Sequence, residues 1–371
     1  MKKKYTFFLF FLPSCFLAAV LTMPLLFSGC YTLKQGTTML GYLGKAVPLE
    51  KLEKLKGDES EEAAFARQVA DIRHFAMEVL GLKASKNYTR YVELDRDYLA
   101  AVVSACAADS FPRHEWKFPI VGSVPYKGFF NIEDAKKEAA KQKSKGLDVW
   151  VRSVDAFSTL GWFKDPLYSY MKDYSVYYLA ELIIHELFHA TVFVKGRVEF
   201  NEQLAEFVGT HGARLYIEDR FGIDSPEYQS IGDGENDNRA FRKFLSELGA
   251  ELESLYSRND MGKEEKISQK EEIIKTALVR FEAEYESRFQ DDRYRGFSKL
   301  QINNAYLDLY RLYHEEDNFF ADLYEKIPAR DNLLKLQTLI QEASGLNKSR
   351  EAKKDPKKTL EYRINQRFGR M

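Results

Sequence analysis

The pentapeptide His185-Glu186-Leu187-Phe188-His189 lies inside an apolar run and constrains the fold more than any other stretch of the chain. Leu182, Ile183, Ile184, Leu187, Phe188, Val192 and Phe193 surround it, so a helix from about Ser175 to Val192 is apolar nearly all round and must be buried. Two histidines four apart on that helix point the same way, separated by about 40° around the axis. Buried imidazoles and a buried carboxylate need partners, because unpaired buried charge is costly. A single metal ion can take both imidazoles, and Glu186 stands where a carboxylate can act on a metal-bound water. With only six histidines in the chain, accidental matches to this pattern are expected on the order of one in a hundred. The stretch reads as the site of one Zn2+ ion in a metallopeptidase.

Catalytic zinc normally takes three protein ligands and keeps a fourth position for water. Glu199, Glu202 and Glu206 are the candidates for the third. Glu202 lies thirteen residues beyond His189 in Asn201-Glu202-Gln203-Leu204-Ala205. That is similar to the Asn-Glu-x-x-Ala context in which thermolysin-like and related gluzincin peptidases carry a glutamate ligand. Lys195-Gly196 between them is a turn signal flanked by two short apolar-rich arms, so a compact hairpin is expected there. Glu206, one turn beyond Glu202, is the natural partner for a ligating histidine and the alternative third ligand. Glu199 reads as a solvated loop residue.

The N-terminus places Lys2-Lys3-Lys4 before an apolar run from Tyr5 to Phe27, closing on Leu26-Phe27-Ser28-Gly29-Cys30. This is the pattern of a secretory signal. Cys30 after Ser-Gly resembles a bacterial lipobox, with residues 1–29 removed and Cys30 lipidated. The long apolar run also fits an uncleaved anchor. The expectation is an exported lipoprotein, membrane-anchored through its N-terminal lipid and facing the periplasm. Beside the lipidated Cys30, only Cys106 remains beyond the leader, which excludes an internal disulfide and a cysteine metal site. A net charge of −1 argues against nucleic acid as a partner.

Periodicity predicts an α+β, predominantly helical chain. Residues 30–57 read as the lipidated N-terminus and a linker, 58–346 as the zinc metallopeptidase domain and 347–371 as a solvated basic tail. Helices are expected over Ser60 to Leu82, Asp95 to Ala107, Glu133 to Lys143, Glu202 to about Arg220, Gln301 to Tyr313 and Asp331 to Ala343. Short β runs are expected over Trp116 to Phe130 and Asp148 to Val151. The charged region from about Asn236 to Arg288 reads as a pair of long surface helices. His211 falls half a turn from the zinc face and reads as structural. His74, His114 and His314 have no ligand spacing. Tyr306, Tyr310, Tyr313, Asn303 and Asn304 are candidate oxyanion donors. Trp150, Trp162 and Ser158 to Phe163 are candidates for a substrate edge.

Beyond the motif, the chain resembles the bacterial predicted-aminopeptidase family of exported zinc peptidases. The resemblance runs through Gly29-Cys30-Tyr31 with Lys34-Gln35-Gly36, and through Ile72-Arg73-His74-Phe75-Ala76. It continues in Phe118-Pro119-Ile120-Val121-Gly122, Tyr126-Lys127-Gly128-Phe129-Phe130 and Ala156-Phe157-Ser158-Thr159-Leu160-Gly161-Trp162-Phe163. The HExxH segment, Phe200-Asn201-Glu202 and Asn303-Asn304-Ala305 complete it. The resemblance implies a zincin-like (gluzincin-type) fold with a small sheet beside the active-site helix. It also implies zinc held by His185, His189 and Glu202, Glu186 as the catalytic group, and a peptide as substrate. The Gly-x-Met-Glu-Asn stretch with which well-known zinc aminopeptidases hold a free amine is absent from the sequence. The competing reading is a non-catalytic exported zinc lipoprotein serving as a binding or assembly module. Structural zinc sites favour four closed protein ligands, which sets Glu186 against it.

Overall fold

The N-terminal segment after Cys30 is built into the body. The computed structural model describes residues 31, 34–118, 122–154, 165–311 and 319–369. It opens with a helix over 34–45 (α1), strand β1 (Val47–Pro48), a 3-10 turn and α2 (Leu52–Lys56). Ala46, Leu49 and Leu52 are buried in the main core. The expected linker is thus a packed element, because its apolar residues find a core to cover.

Helix α3 (Glu61–His74) starts at Ser60, whose hydroxyl accepts the Ala63 N–H. It runs on into a π-helical turn over Phe75–Val79. Phe65, Val69, Ile72, Phe75 and Ala76 form its buried face, as the periodicity predicts. Strand β2 (Arg90–Val92) pairs antiparallel with β1 and parallel with β8 (Leu167–Tyr168). Between these lie β3 (Ala100–Ala107), β4 (Trp116–Phe118), β5 (Gly122–Val124), β6 (Tyr126–Phe129), α4 (Ile132–Lys143) and β7 (Leu147–Val154).

The helix expected over Asp95 to Ala107 is a strand in the structure. Ala100–Ala107 is the central strand β3, antiparallel to both β6 and β7. Its even and odd faces are both covered. Ala101, Val103 and Ala105 pack with Ala135 and Ala139 of α4, while α10 (Asn304–Arg311) lies across the same strand. A strand buried on both faces loses its polar alternation and cannot be told from a short apolar helix by periodicity.

The long helices follow. They are α5 (Val176–Thr191), α6 (Val198–Phe221), α7 (Pro226–Ser257), α8 (Lys263–Ala283) and the short α9 (Tyr285–Arg288). Helices α7 to α10 are not simply a surface pair. They enclose a second core rich in aromatic rings, in which Phe281 meets Phe244 and Phe297 edge-on, each with centroids 4.9 Å apart. The chain ends in α11 (Phe319–Glu325), α12 (Asn332–Ser344, capped by Asp331) and α13 (Pro356–Phe368).

Helix α13 corrects the expectation of a solvated tail. Leu360 and Ile364, four apart, are buried in the main core, and Arg363 and Arg367 pair with Glu342 of α12. The basic charge of this segment is its outer face. The architecture is α+β and mainly helical, with three small sheets among the described residues. The β1–β2–β8 sheet shares the main core with the HExxH helix α5. Among the described residues no helix is long and apolar enough to cross a membrane.

Candidate metal centre

Helix α5 carries the pentapeptide much as the sequence predicts. The Ser175 hydroxyl accepts the Tyr178 N–H at its start, and Val192 ends it in extended backbone. Leu179, Ile183, Ile184, Leu187 and Phe188 are fully buried. Its closest packing is against α6, and glycine makes that approach possible. A Cβ on Gly209 would lie 3.1 Å from both the Glu181 carbonyl oxygen and the His185 Cβ. One on Gly212 would meet Leu80 and Ile184 at 2.9 and 3.0 Å. The helix presenting the carboxylates is therefore seated directly on the ligand-bearing turn of α5.

Between α5 and α6 the chain turns through Val192 to Arg197, with Gly196 at φ +79°. The expected hairpin does not form. Val198-Glu199-Phe200, its predicted second arm, is the first turn of α6, so the return is made by a helix start rather than by a strand. Asn201 fixes this return. Its side-chain oxygen accepts the Val194 N–H at 2.9 Å, and its amide nitrogen donates to the Val194 carbonyl at 3.0 Å. Asn201 is itself buried, and Glu202 follows it directly.

The result is a cluster of three. His185 Nε2 and His189 Nε2 face each other at 3.2 Å. Glu202 spans them, with Oε2 at 3.6 Å from His185 Nε2 and Oε1 at 3.5 Å from His189 Nε2. Donors about 2.0–2.1 Å from a tetrahedral zinc stand about 3.3–3.4 Å apart, so this spacing fits such an ion. Two imidazole nitrogens this close repel when both are protonated, and a shared cation relieves that. His189 is nearly buried, and its Nδ1 has no hydrogen-bond partner in the described structure. Among the described residues this is the group of histidines and carboxylates with metal-holding geometry.

The electrostatics follow from the packing. Burial alone would push the His185 imidazole down, but Glu202 and the charges of Glu186 and Glu206 outweigh it and raise its pKa. The hydrogen bonds from His185 and His189 hold the Glu202 carboxyl down at about 2. Glu186 is buried, and its Oε2 is without a hydrogen-bond partner among the described residues. Tyr88 is buried close enough for the Glu186 charge to act on it; burial first, and then that charge, raise its phenol. Tyr88 sits at φ +57°, an uncommon conformation for a bulky residue. Arg73 of α3 holds that loop by donating to the Ser85 and Asn87 carbonyls, and Tyr88 N–H donates to the Asp165 carbonyl at 2.7 Å.

Other predicted residues fall elsewhere. Glu206 is exposed one turn beyond Glu202, and its charge acts on His185 and on Glu181 without entering the cluster. Glu199 is exposed and accepts from Gln203. Burial raises the Glu181 carboxyl, while the Thr210 hydroxyl, donating to it at 2.6 Å, opposes that rise.

Asn303 and Asn304 do not serve as oxyanion donors here. The Asn303 amide donates to the Val149 carbonyl, and that of Asn304 to the Ala107 and Ser110 carbonyls, tying α10 to the sheet. Tyr306 packs against Trp150 and Phe297 in the second core. His211 stacks on Phe207 and bonds its carbonyl, as a structural histidine. Tyr313, His314, Cys30, Trp162 and the Ser158 to Phe163 segment lie outside the described residues.

Asn201, Gly209 and Tyr88 have no part in the HExxH pattern; Asn201 and Gly209 set α6 and Glu202 against it, and Tyr88 lies within reach of the Glu186 charge. Of the three, only Asn201 carries a local signal, as the residue next to the ligand candidate.

Fold and site together define a mainly helical α+β protein that presents a His-His-Glu set beside a buried glutamate. The family model Aminopep, described as "Putative aminopeptidase", matches residues 30–357, and the chain belongs to that family. No curated protein and no solved structure matches it.

Proposed function

We propose that the protein is a zinc-dependent peptidase of the cell envelope, with a zincin-like (gluzincin-type) site held by His185, His189 and Glu202. The observation that carries this reading is the His-His-Glu cluster, whose spacing suits one tetrahedral ion. Membership of a family named for aminopeptidase activity supports the peptide as substrate.

When bound, the zinc would supply a Lewis acid and an acidified water. Glu186, next to His185 and with a carboxylate oxygen that has no hydrogen-bond partner among the described residues, would act as general base. It takes a proton from the attacking water and passes it to the leaving amine. Glu202 and the two imidazoles act as the ligand set, and the α6 register set by Asn201 and Gly209 keeps Glu202 within reach of both. The leader and Cys30 support a mature chain that starts at a lipidated cysteine on the periplasmic side, with 58–346 as the peptidase domain.

Cleavage of a mixed peptide library by the wild type and by Glu186→Gln, with zinc content measured in both, tests this. The reading requires zinc in both proteins and cleavage only in the wild type. Zinc with no Glu186-dependent cleavage would favour a non-catalytic zinc lipoprotein instead. Release of single N-terminal residues rather than internal cuts would make it an aminopeptidase.

A further inference from the structure

Tyr31, the residue after Cys30, is fixed to the body. Its ring packs edge-on against Phe129 with centroids 5.5 Å apart and lies tilted against Phe118 at 5.8 Å. Lys127 Nζ sits over its face at 4.8 Å, and its hydroxyl donates to the Gly128 carbonyl. Just beyond, Lys34 pairs with Asp134, and the Gln35 side-chain oxygen accepts the Phe130 N–H at 3.0 Å. Cys30 precedes Tyr31 by one peptide unit, about 3.8 Å between Cα atoms. A membrane attached there therefore meets the protein at this end of the β6–β3–β7 sheet and its covering helix α4.

Helix α4 turns Ala135, Glu138, Ala139 and Gln142 inward and leaves Lys136, Lys137, Lys141 and Lys143 exposed. Lys137 and Lys141, one turn apart, line a cavity of about 330 Å³ together with Tyr31, Lys34, Asp134 and Glu138. Both carboxylates of that lining are already paired, Asp134 with Lys34 and Glu138 with Lys127. Lys137 and Lys141 thus present exposed positive charge beside the anchored residue. The tether and the charge lie on the same face.

We propose that this face lies on the bilayer, with the cavity beside Tyr31, Lys137 and Lys141 seating an anionic phospholipid headgroup. The inference rests on the reading of the leader and Cys30 as a membrane anchor. It adds that the body has a fixed orientation rather than swinging on a tether. The attraction is electrostatic and confined to about a Debye length, so only lysines held near the surface contribute.

The test uses the full chain reconstituted into phosphatidylcholine vesicles with and without phosphatidylglycerol. Lysines are acylated with a membrane-impermeant reagent and read by mass spectrometry. On anionic vesicles Lys137 and Lys141 should react about five-fold more slowly, the attraction expected for one basic residue at such a surface. Lys275, exposed on α8, serves as the reference and should not change. Tyr31→Ala, which releases the clamp, should abolish the protection while the protein stays on the vesicles. Membrane-bound protein with Lys137 and Lys141 equally reactive on both vesicles overturns the orientation and leaves the anchor intact. Protein that does not associate with vesicles at all overturns the anchor reading, and this inference with it.

Discussion

Asn201 grips Val194 from both sides, accepting its N–H at 2.9 Å and donating to its carbonyl at 3.0 Å. The two residues close the turn that brings Glu202 back to the histidines. Both bonds are buried, and Asn201→Ala would leave the Val194 amide unsatisfied, while the Val194 carbonyl keeps only the Arg197 N–H at 3.1 Å. The expected cost is about 2–3 kcal/mol, from two lost hydrogen bonds in a buried setting. The melting temperature should fall, and zinc affinity should fall with it. Unchanged zinc affinity in a destabilised variant would mean that the clamp supports the fold but not the site.

The seat of α6 on α5 depends on Gly209. A Gly209→Ala change gains about 1 kcal/mol of helix propensity. Against this, the added methyl meets the Glu181 carbonyl oxygen and the His185 Cβ at 3.1 Å, both on a rigid buried helix. Overpacking of that kind costs about 1–3 kcal/mol, so the net effect should be destabilising, with weaker zinc binding as α6 moves out. Thermal unfolding and zinc titration check this, and a variant more stable than wild type would contradict it.

Glu202 and Glu206 separate cleanly. Outer partners of a metal site cost roughly 10–100-fold in affinity when removed, and a ligand should cost more. Glu202→Ala should therefore lose zinc beyond that range, whereas Glu206→Ala, outside the cluster, should stay within it. A competition titration with a chelator ranks the two. The reverse order would make Glu206 the third ligand.

The α4 layer carries a separate acid-sensitive contact. Burial pushes the Glu138 carboxyl up, but the Trp116 indole, Gln142 and Lys127 more than offset this and hold it down at about 2. A depressed folded pKa gives stability that is complete above the ordinary value of 4.5 and is lost as pH falls toward about 2. Glu138→Gln should thus be less stable than wild type at neutral pH, by about 2 kcal/mol for charged hydrogen bonds lost. The gap should narrow as the solution is acidified through that window. A gap independent of pH would rule out this assignment.

Much of the site is legible in the sequence, and for a physical reason. An apolar helix with two histidines four apart leaves few alternatives, so the span of α5 and the face of its ligands follow from periodicity. Glu202 is legible through its Asn-Glu context, and the structure brings it to both imidazoles. What the sequence hides are elements whose signal lies in the third dimension. Strand β3 is Ala-rich and covered on both faces, so neither alternation nor propensity marks it. Helix α13 buries only a narrow stripe, Pro356, Leu360 and Ile364, under many lysines and arginines. Its start is nonetheless encoded, since Asp355 caps it and Pro356 opens it. The roles of Gly209 and Tyr88 depend on what lies opposite them, which no local pattern records.

In the proposed centre His185, His189 and Glu202 hold one zinc ion for chemistry performed by Glu186. Its most direct test is the paired measurement of zinc stoichiometry and peptide hydrolysis in wild type, His189→Ala and Glu186→Gln. One zinc per chain is expected in wild type and in Glu186→Gln, with zinc lost in His189→Ala. The kcat of Glu186→Gln should be lower by about 10²–10⁴-fold, the usual contribution of a general base. Full zinc retention in His189→Ala, or wild-type hydrolysis by Glu186→Gln, would contradict this assignment.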